Sequence, residues 1–86
     1  MKILFTEEAW KDFEWFLDND KRLAKRIRQL LKDIKRSPED GIGKPEPLKF
    51  QLSGYWSRRI NKEHRLVYKV QKDTILVLTC RYHYEK

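Results

Sequence analysis

The spacing of hydrophobic residues changes twice along the chain, and each change marks a new kind of element. Lys2 to Phe5, KILF, is a short apolar run of strand type, after which Thr6 offers an N-cap oxygen and Glu7 and Glu8 place negative charge in the first turn of a helix. Ala9, Trp10, Phe13, Phe16 and Leu17 fall at offsets 0, 1, 4, 7 and 8, which makes one apolar stripe on a helix ending near Asn19. Asp20 caps a second helix. In it Leu23, Ala24, Ile27, Leu30, Leu31 and Ile34 keep the helical period, while Lys21, Lys25, Arg28, Lys32 and Lys35 occupy the opposite, solvated side. Ser37 stands before Pro38 and so leaves the helical region, which stops this helix. All three prolines and two of the three glycines then fall between Pro38 and Pro47, a composition that holds a loop rigid without regular structure. Alternation returns beyond it. Leu48, Phe50 and Leu52 face one way from Lys49 and Gln51, Gly54 allows a turn, and Tyr55 to Ile60, His64 to Val70 and Thr74 to Tyr84 are rich in aromatic and β-branched residues. The pattern predicts an α+β fold, β-α-α followed by an antiparallel β-meander.

Strand register decides which side chains meet, because a slip of one residue moves a whole set to the other face. A three-residue loop at Asn61, Lys62 and Glu63 pairs Ile60 with His64 and Arg59 with Arg65. Trp56, Ile60, Leu66, Tyr68 and Val70 then share one face, and Ser57, Arg59, Arg65 and Lys69 the other. A similar loop at Gln71 to Asp73 pairs Tyr68 with Leu76 and Leu66 with Leu78, burying Leu76, Leu78 and Cys80 and sending Arg81 and His83 to join the arginines. A two-residue turn at Lys72 and Asp73 is the alternative, with Ile75 and Val77 inward.

Length and composition narrow the class. Eighty-six residues hold one small domain, 1–86, and 40% apolar residues with 11 aromatic rings support a core, unlike a disordered basic tail. A core of this size leaves a partner or a homodimer as a natural source of further stability. Cys80 is the single cysteine, which excludes a disulfide framework and fits a small buried hydrophobe. The N-terminus is too short in apolar residues for a signal peptide and no stretch approaches a membrane span, so a soluble, cytoplasmic protein without a membrane partner is expected.

The formal charge of +7 is unevenly placed: residues 1–43 carry ten bases and nine acids, whereas 44–69 carry seven bases and two acids. The second block is interleaved with Phe50, Tyr55, Trp56 and Tyr68, the composition of a polyanion-binding surface as well as of a soluble sheet face. No metal or nucleotide motif is present, since His64 and His83 lack zinc spacing and there is no glycine-rich phosphate loop, so no cofactor is expected. What remains is Glu46, Lys49, Arg58, Arg59, Arg65, Arg81, His83 and Tyr84, gathered on or near one polar surface. RNA cleavage by its own 2′-hydroxyl asks for such groups: a base for the hydroxyl proton, cations around the phosphorane, and an acid for the departing 5′-oxygen. Each also has a plainer role. Glu46 serves as a solvated loop acid, the arginines keep a sheet face soluble or pair with Glu63, His83 is a terminal exposed residue, and Trp10, Phe13 and Trp56 are core aromatics.

Four strings carry a resemblance: GKPEPLK at Gly43 to Lys49, LSGYWSRRI at Leu52 to Ile60, EHRLVY at Glu63 to Tyr68 and CRYHY at Cys80 to Tyr84. With almost the same spacing from the first strand to Tyr84, the chain resembles the YoeB (Txe) family of bacterial mRNA interferase toxins. The resemblance implies a microbial-ribonuclease-like, RelE-related fold, cleavage of mRNA in the decoding site of a translating ribosome, and restraint by an antitoxin of the YefM or Phd type. It also implies roles: Glu46 as general base, His83 as general acid, Arg65 as the cation on the transition-state charge, and Lys49, Arg59 and Tyr84 as phosphate or substrate contacts. One departure is that the chain continues with Glu85 and Lys86 beyond the tyrosine at which family members often end. The polarity of the residues agrees with these roles but does not by itself rank Glu46 above Glu63. Two other functions fit the same scaffold, a gyrase poison of the ParE kind and a basic nucleic-acid-binding module.

Overall fold

The caps read from the sequence start both helices. In the computed structural model, which describes residues 1–81, the Thr6 hydroxyl accepts from the Ala9 N–H at 3.0 Å and the Asp20 carboxylate accepts from the Leu23 N–H at 3.2 Å. They open α1 (Glu7–Asn19) and α2 (Lys21–Arg36), which follow strand β1 (Lys2–Phe5). Strands β2 (Glu46–Pro47), β3 (Trp56–Arg59), β4 (Arg65–Gln71) and β5 (Thr74–Thr79) complete one sheet in the order β1-β5-β4-β3-β2. β1 lies parallel to β5, and the remaining neighbours are antiparallel. This is the expected β-α-α and meander, with β1 returned to the far edge beside the last strand. His83 and Tyr84, and with them the end of the expected final strand, lie outside the described residues. Among the described residues no helix is long and apolar enough to cross a membrane.

One face of the sheet supplies Ile60, Leu66, Tyr68, Ile75 and Val77 to a core shared with Phe16 of α1 and Ala24, Ile27, Leu30, Leu31 and Ile34 of α2. The α2 stripe is thus buried as its period requires. The α1 stripe is buried in part only: Ala9 and Phe16 are covered, whereas Trp10 is 46% exposed and packs edge-on against Phe5. Trp10 is therefore not a core aromatic, while Phe13 and Trp56 pack against the core.

The first hairpin of the meander has the expected register, with Arg59 opposite Arg65 and Trp56 opposite Tyr68. The second does not. Gln71 pairs with Thr74, so the turn is the two-residue one at Lys72 and Asp73, and Ile75 and Val77 point inward in place of Leu76 and Leu78. A bulge between Val67 and Tyr68, where Val67 faces Thr79 and Tyr68 faces Val77, adds one residue to β5. That extra residue turns Cys80 back into the core. Burial pushes its thiol up to about 12, which suits a buried hydrophobe.

A second departure concerns the region before β3. Residues 48–52 do not form a strand: pairing stops at Pro47, Leu48 is buried, and Phe50–Leu52 makes a 3₁₀ turn with Phe50 at φ 58°. A third concerns Arg58, which is fully buried on the core side opposite Leu66 and not on the polar surface. Its guanidinium donates to Asp33 Oδ2 of α2 at 2.6 Å, to the carbonyls of Ser37, Asp40 and Ile42 at 2.6, 3.0 and 3.1 Å, and to the Tyr68 hydroxyl at 3.1 Å. Tyr68 in turn donates to the Pro38 carbonyl at 2.6 Å. A loop expected to be stiff through proline alone is thus wrapped around one buried cation.

Asp33 also accepts from the Ile42 N–H, and this bond first and the Arg58 guanidinium second hold its carboxyl down from 3.8 to about 2. Between those values the unfolded chain binds a proton that the folded one refuses, so stability from Asp33 is complete above pH 3.8 and fades as pH falls towards 2. In urea unfolding across that window, Asp33→Asn should start from a lower stability at pH 7 and fall less steeply than the parent. An unchanged acid profile would mean that Asp33 is not the titrating anchor.

Candidate active site

Alternation along β3 and β4 leaves Ser57, Arg59 and Arg65 on the sheet face opposite the helices. β2 adds Glu46 directly across from Ser57. The three strands thereby converge on one contact. Arg65 donates through Nε to Ser57 Oγ at 3.0 Å and through an Nη2 proton to Glu46 Oε1 at 3.1 Å. The guanidinium is almost fully buried, while the Glu46 side chain is 57% exposed. A cation is therefore held rigidly beneath a carboxylate that solvent and a ligand can reach.

The contact separates the two acids that composition left equal. Glu63 sits on the β3–β4 turn near His64, 3.6 Å from its Nε2, and Arg65 meets Glu46 instead. The turn is held by Asn61, whose Oδ1 accepts from the N–H groups of Glu63 and His64 at 2.9 and 2.7 Å. His64 packs edge-on against Phe16 and is buried, a core histidine.

The remaining expected residues fall into three groups. Arg59 is exposed and lines a cavity of about 450 Å³ together with Arg26, Lys44 and Lys62, so basic side chains from four segments share it. Lys49 is exposed at the end of the Glu46 strand, just before the 3₁₀ turn. Arg81 lies over the Trp15 ring of α1 at 3.7 Å. Arg58 belongs to the core, as above, and His83 and Tyr84 lie outside the described residues. Along the same face Lys69 stands 5.2 Å over the Tyr55 ring. The face thus carries Arg59, the Glu46–Arg65 pair and Lys69 with the Tyr55 ring, and Phe50 is exposed on the 3₁₀ turn between β2 and β3.

Comparison with known proteins agrees with this fold. The family model for YoeB-like toxins of bacterial type II toxin-antitoxin systems matches residues 5–84. The chain belongs to that family. It is 62% identical to the toxin YoeB of Synechocystis sp. over 86 residues, covering 100% of both chains. A YoeB/ParE toxin from Agrobacterium tumefaciens superposes with a TM-score of 0.95 at 45% identity, covering 98% of this chain and 100% of the other. From Staphylococcus aureus, a YoeB dimer superposes at 0.92 and 50% identity, and YoeB in a heterotetrameric YoeB-YefM complex at 0.91 and 50%, each covering 98% of both chains. The chain is accordingly a YoeB-like toxin of a type II toxin-antitoxin system.

Two residues that shape the site carry no motif of their own. Ser57 anchors Arg65, and its position was available in the β3–β4 pairing, which sets it two residues diagonally from the arginine. Asp33 anchors Arg58 and was hidden on the polar side of α2. Ser57→Ala should leave the buried Nε–H of Arg65 without its acceptor, a cost of about 1–3 kcal/mol. Urea unfolding of the variant checks this, and Ser57→Thr should recover most of the loss.

Proposed function

We propose that this toxin is an endoribonuclease, one domain over residues 1–86, that cuts mRNA on the ribosome and so stops translation. The observation that carries the reading is the Glu46–Arg65 contact seated on Ser57, a base and a phosphate-binding cation brought together from three strands. Glu46 takes the proton of the 2′-hydroxyl at the scissile nucleotide. The freed oxygen attacks the adjacent phosphorus, and remaining N–H groups of Arg65 hold the charge gathering on the phosphorane oxygens. As the bond from phosphorus to the 5′-oxygen breaks, a proton from His83 goes to that leaving oxygen, a role that rests on the family resemblance. The products are a 2′,3′-cyclic phosphate, which can open to a 3′-phosphate, and a 5′-hydroxyl. Lys49, Arg59 and Tyr84 hold neighbouring phosphates or bases. Positive charge for the chemical step comes from the arginine, so no divalent metal takes part in it.

A gyrase poison on this scaffold has no use for an acid and a base about one phosphate, and a simple nucleic-acid binder has none for a carboxylate among its cations. An antitoxin of the YefM type, the partner named for the Staphylococcus aureus toxin, would restrain this one by laying an acidic segment over Lys49, Arg59 and Arg65, complementary in charge.

Glu46→Ala and His83→Ala should each lower cleavage by about 10²- to 10⁴-fold, the usual worth of a general base or acid. His83→Ala should keep the parent's melting temperature, whereas Glu46→Ala also leaves the nearly buried Arg65 guanidinium without its carboxylate and should lower it, so Glu46→Gln, which keeps an acceptor, is the cleaner test of the base. Leu30→Ala, by contrast, should act through stability at a cost of about 2–5 kcal/mol. Growth arrest by either site variant at parental strength would remove that residue from the mechanism. A second measurement tests the nucleophile. An mRNA with deoxyribose at the scissile position, on programmed ribosomes, should bind and stay intact, and the all-ribose control should yield a 5′-hydroxyl fragment. A 5′-phosphate, or cutting of the deoxy substrate, would indicate an activated water instead.

A further inference from the structure

Phe50 is the most exposed large apolar residue among those described, at 83%, and its backbone lies in the left-handed region at φ 58°. Both features are costly. An aromatic ring left in water forgoes its burial, and a bulky non-glycine residue at positive φ costs of the order of 1 kcal/mol or more. Extended backbone continued from Leu48 would place Phe50 on the same face as Leu48 without a positive φ. The turn prevents it. The Leu52 N–H donates to the Lys49 carbonyl, the Ser53 N–H to that of Phe50, the Tyr55 N–H to that of Leu52, and the Leu48 N–H to that of Tyr55, all within 2.9–3.1 Å. Four bonds in eight residues therefore fix the strained backbone and hold the ring outward.

We propose that Phe50 forms a nucleobase-stacking subsite for the mRNA beside the cleavage centre, an inference that rests on the RNA-cleaving function proposed above. Phe50 is four Cα–Cα steps from Glu46, so their Cα atoms lie within about 14 Å even if the chain were fully extended. Lys49, next to Phe50 in the chain, is exposed, and Lys69 lies over the ring of Tyr55, whose backbone closes the same turn. A phosphate track ending in an exposed ring is the recurrent arrangement for single-stranded nucleic acid, in which the cations follow the backbone and the ring takes a base face. A protein partner would ask for something else. Docking surfaces are contiguous apolar patches, whereas Phe50 is flanked in sequence by Lys49 and Gln51, both exposed. The backbone that carries the ring is also preorganised, so the entropy lost when a base stacks on it is confined to the side chain.

The test uses programmed ribosomes carrying mRNA with 2-aminopurine one or two nucleotides from the scissile bond and deoxyribose at that bond, so that binding is read without cutting. The full-length toxin should quench the fluorescence by stacking. Phe50→Ala and Phe50→Leu should both lose the quench and bind about 5- to 150-fold more weakly, the range of one base–aromatic stack, and Phe50→Trp should restore it. Phe50→Gly, which relieves the backbone, should melt no lower than the parent and still lose the quench. Parental quenching by Phe50→Ala overturns the subsite, and parental behaviour of Phe50→Leu shows an apolar contact with another protein surface instead. Cleavage of all-ribose mRNA by the parent is followed in parallel. A parent that quenches without cutting refutes the nuclease and keeps the subsite; one that cuts with no dependence on Phe50 does the reverse.

Discussion

The buried guanidinium of Arg58 is the point on which the loop before the β2 edge of the sheet depends. A cation in a core is tolerated only when its charge is compensated and its donors are satisfied. Here Asp33 supplies the charge at 2.6 Å, and the carbonyls of Ser37, Asp40 and Ile42 and the Tyr68 hydroxyl supply further acceptors. Those acceptors come from α2, β4 and the loop that follows α2, so meeting the needs of one side chain fixes the path of residues 37–42. An apolar residue at position 58 could pack as well but would leave that loop without an anchor. The pair thus contributes more to the uniqueness of the loop's course than to net stability, since desolvation offsets much of the attraction within it.

From that anchor the chain runs directly to the chemistry. Gly43, just beyond Ile42, passes so close to α2 and β3 that a Cβ would lie 2.8 Å from Leu30 Cδ2 and 3.2 Å from the Arg59 carbonyl. Its own carbonyl accepts from the Arg59 N–H at 2.7 Å. Only glycine fits there, at φ 81°, and this contact lets the loop turn along β3 and deliver Glu46 opposite Ser57. Arg58 and Arg59 are neighbours with opposite duties, the first holding the loop on the core side and the second lining the cationic cavity. Pleating of one strand separates structure from function by a single residue.

The helices, their caps and the β3–β4 register were legible because each rests on local signals: an oxygen-bearing cap, an unbroken period, an odd loop between strands of opposite polarity. The β4–β5 register was not, and the reason is in β5 itself. Ile75, Leu76, Val77 and Leu78 are all apolar, so polarity cannot choose between the two faces, and the bulge after Val77 lets Ile75, Val77 and Cys80 all be inward, which no regular strand permits. Arg58 was misplaced by the same polarity argument in reverse, since a charge is assigned outward unless its partners are known. Those partners lie 16 to 25 residues away in sequence for the loop and α2 contacts. In the candidate site, Glu46, Arg59 and Arg65 could be named from the chain and its resemblance. That Arg65 meets Glu46 rather than Glu63 required the short β2 pairing, which a single glutamate between two prolines does not announce.

Local conflict is concentrated in one stretch. Lys44 and Phe50 occupy the left-handed region at φ 50° and 58°, and Gly43 and Gly54 are also at positive φ, so four such backbones bracket Glu46 within twelve residues. Outside this stretch, apart from Gly41 and from Lys72 in the β4–β5 turn at φ 52°, the chain obeys its local preferences: α2 is capped, amphipathic and basic in its last turn, and the core strands are β-branched and aromatic. A fold gains a unique ground state when local preferences agree with it, and departures from that agreement gather where another requirement overrides stability. In this protein the override is geometric. The Glu46 carboxylate stands over the nearly buried Arg65 guanidinium and stays 57% exposed, and the 3₁₀ turn at Phe50–Leu52 follows directly after the edge strand ends at Pro47. The strained turn keeps the edge short and exposed, while the well-formed helices behind it supply the stability that such a turn consumes.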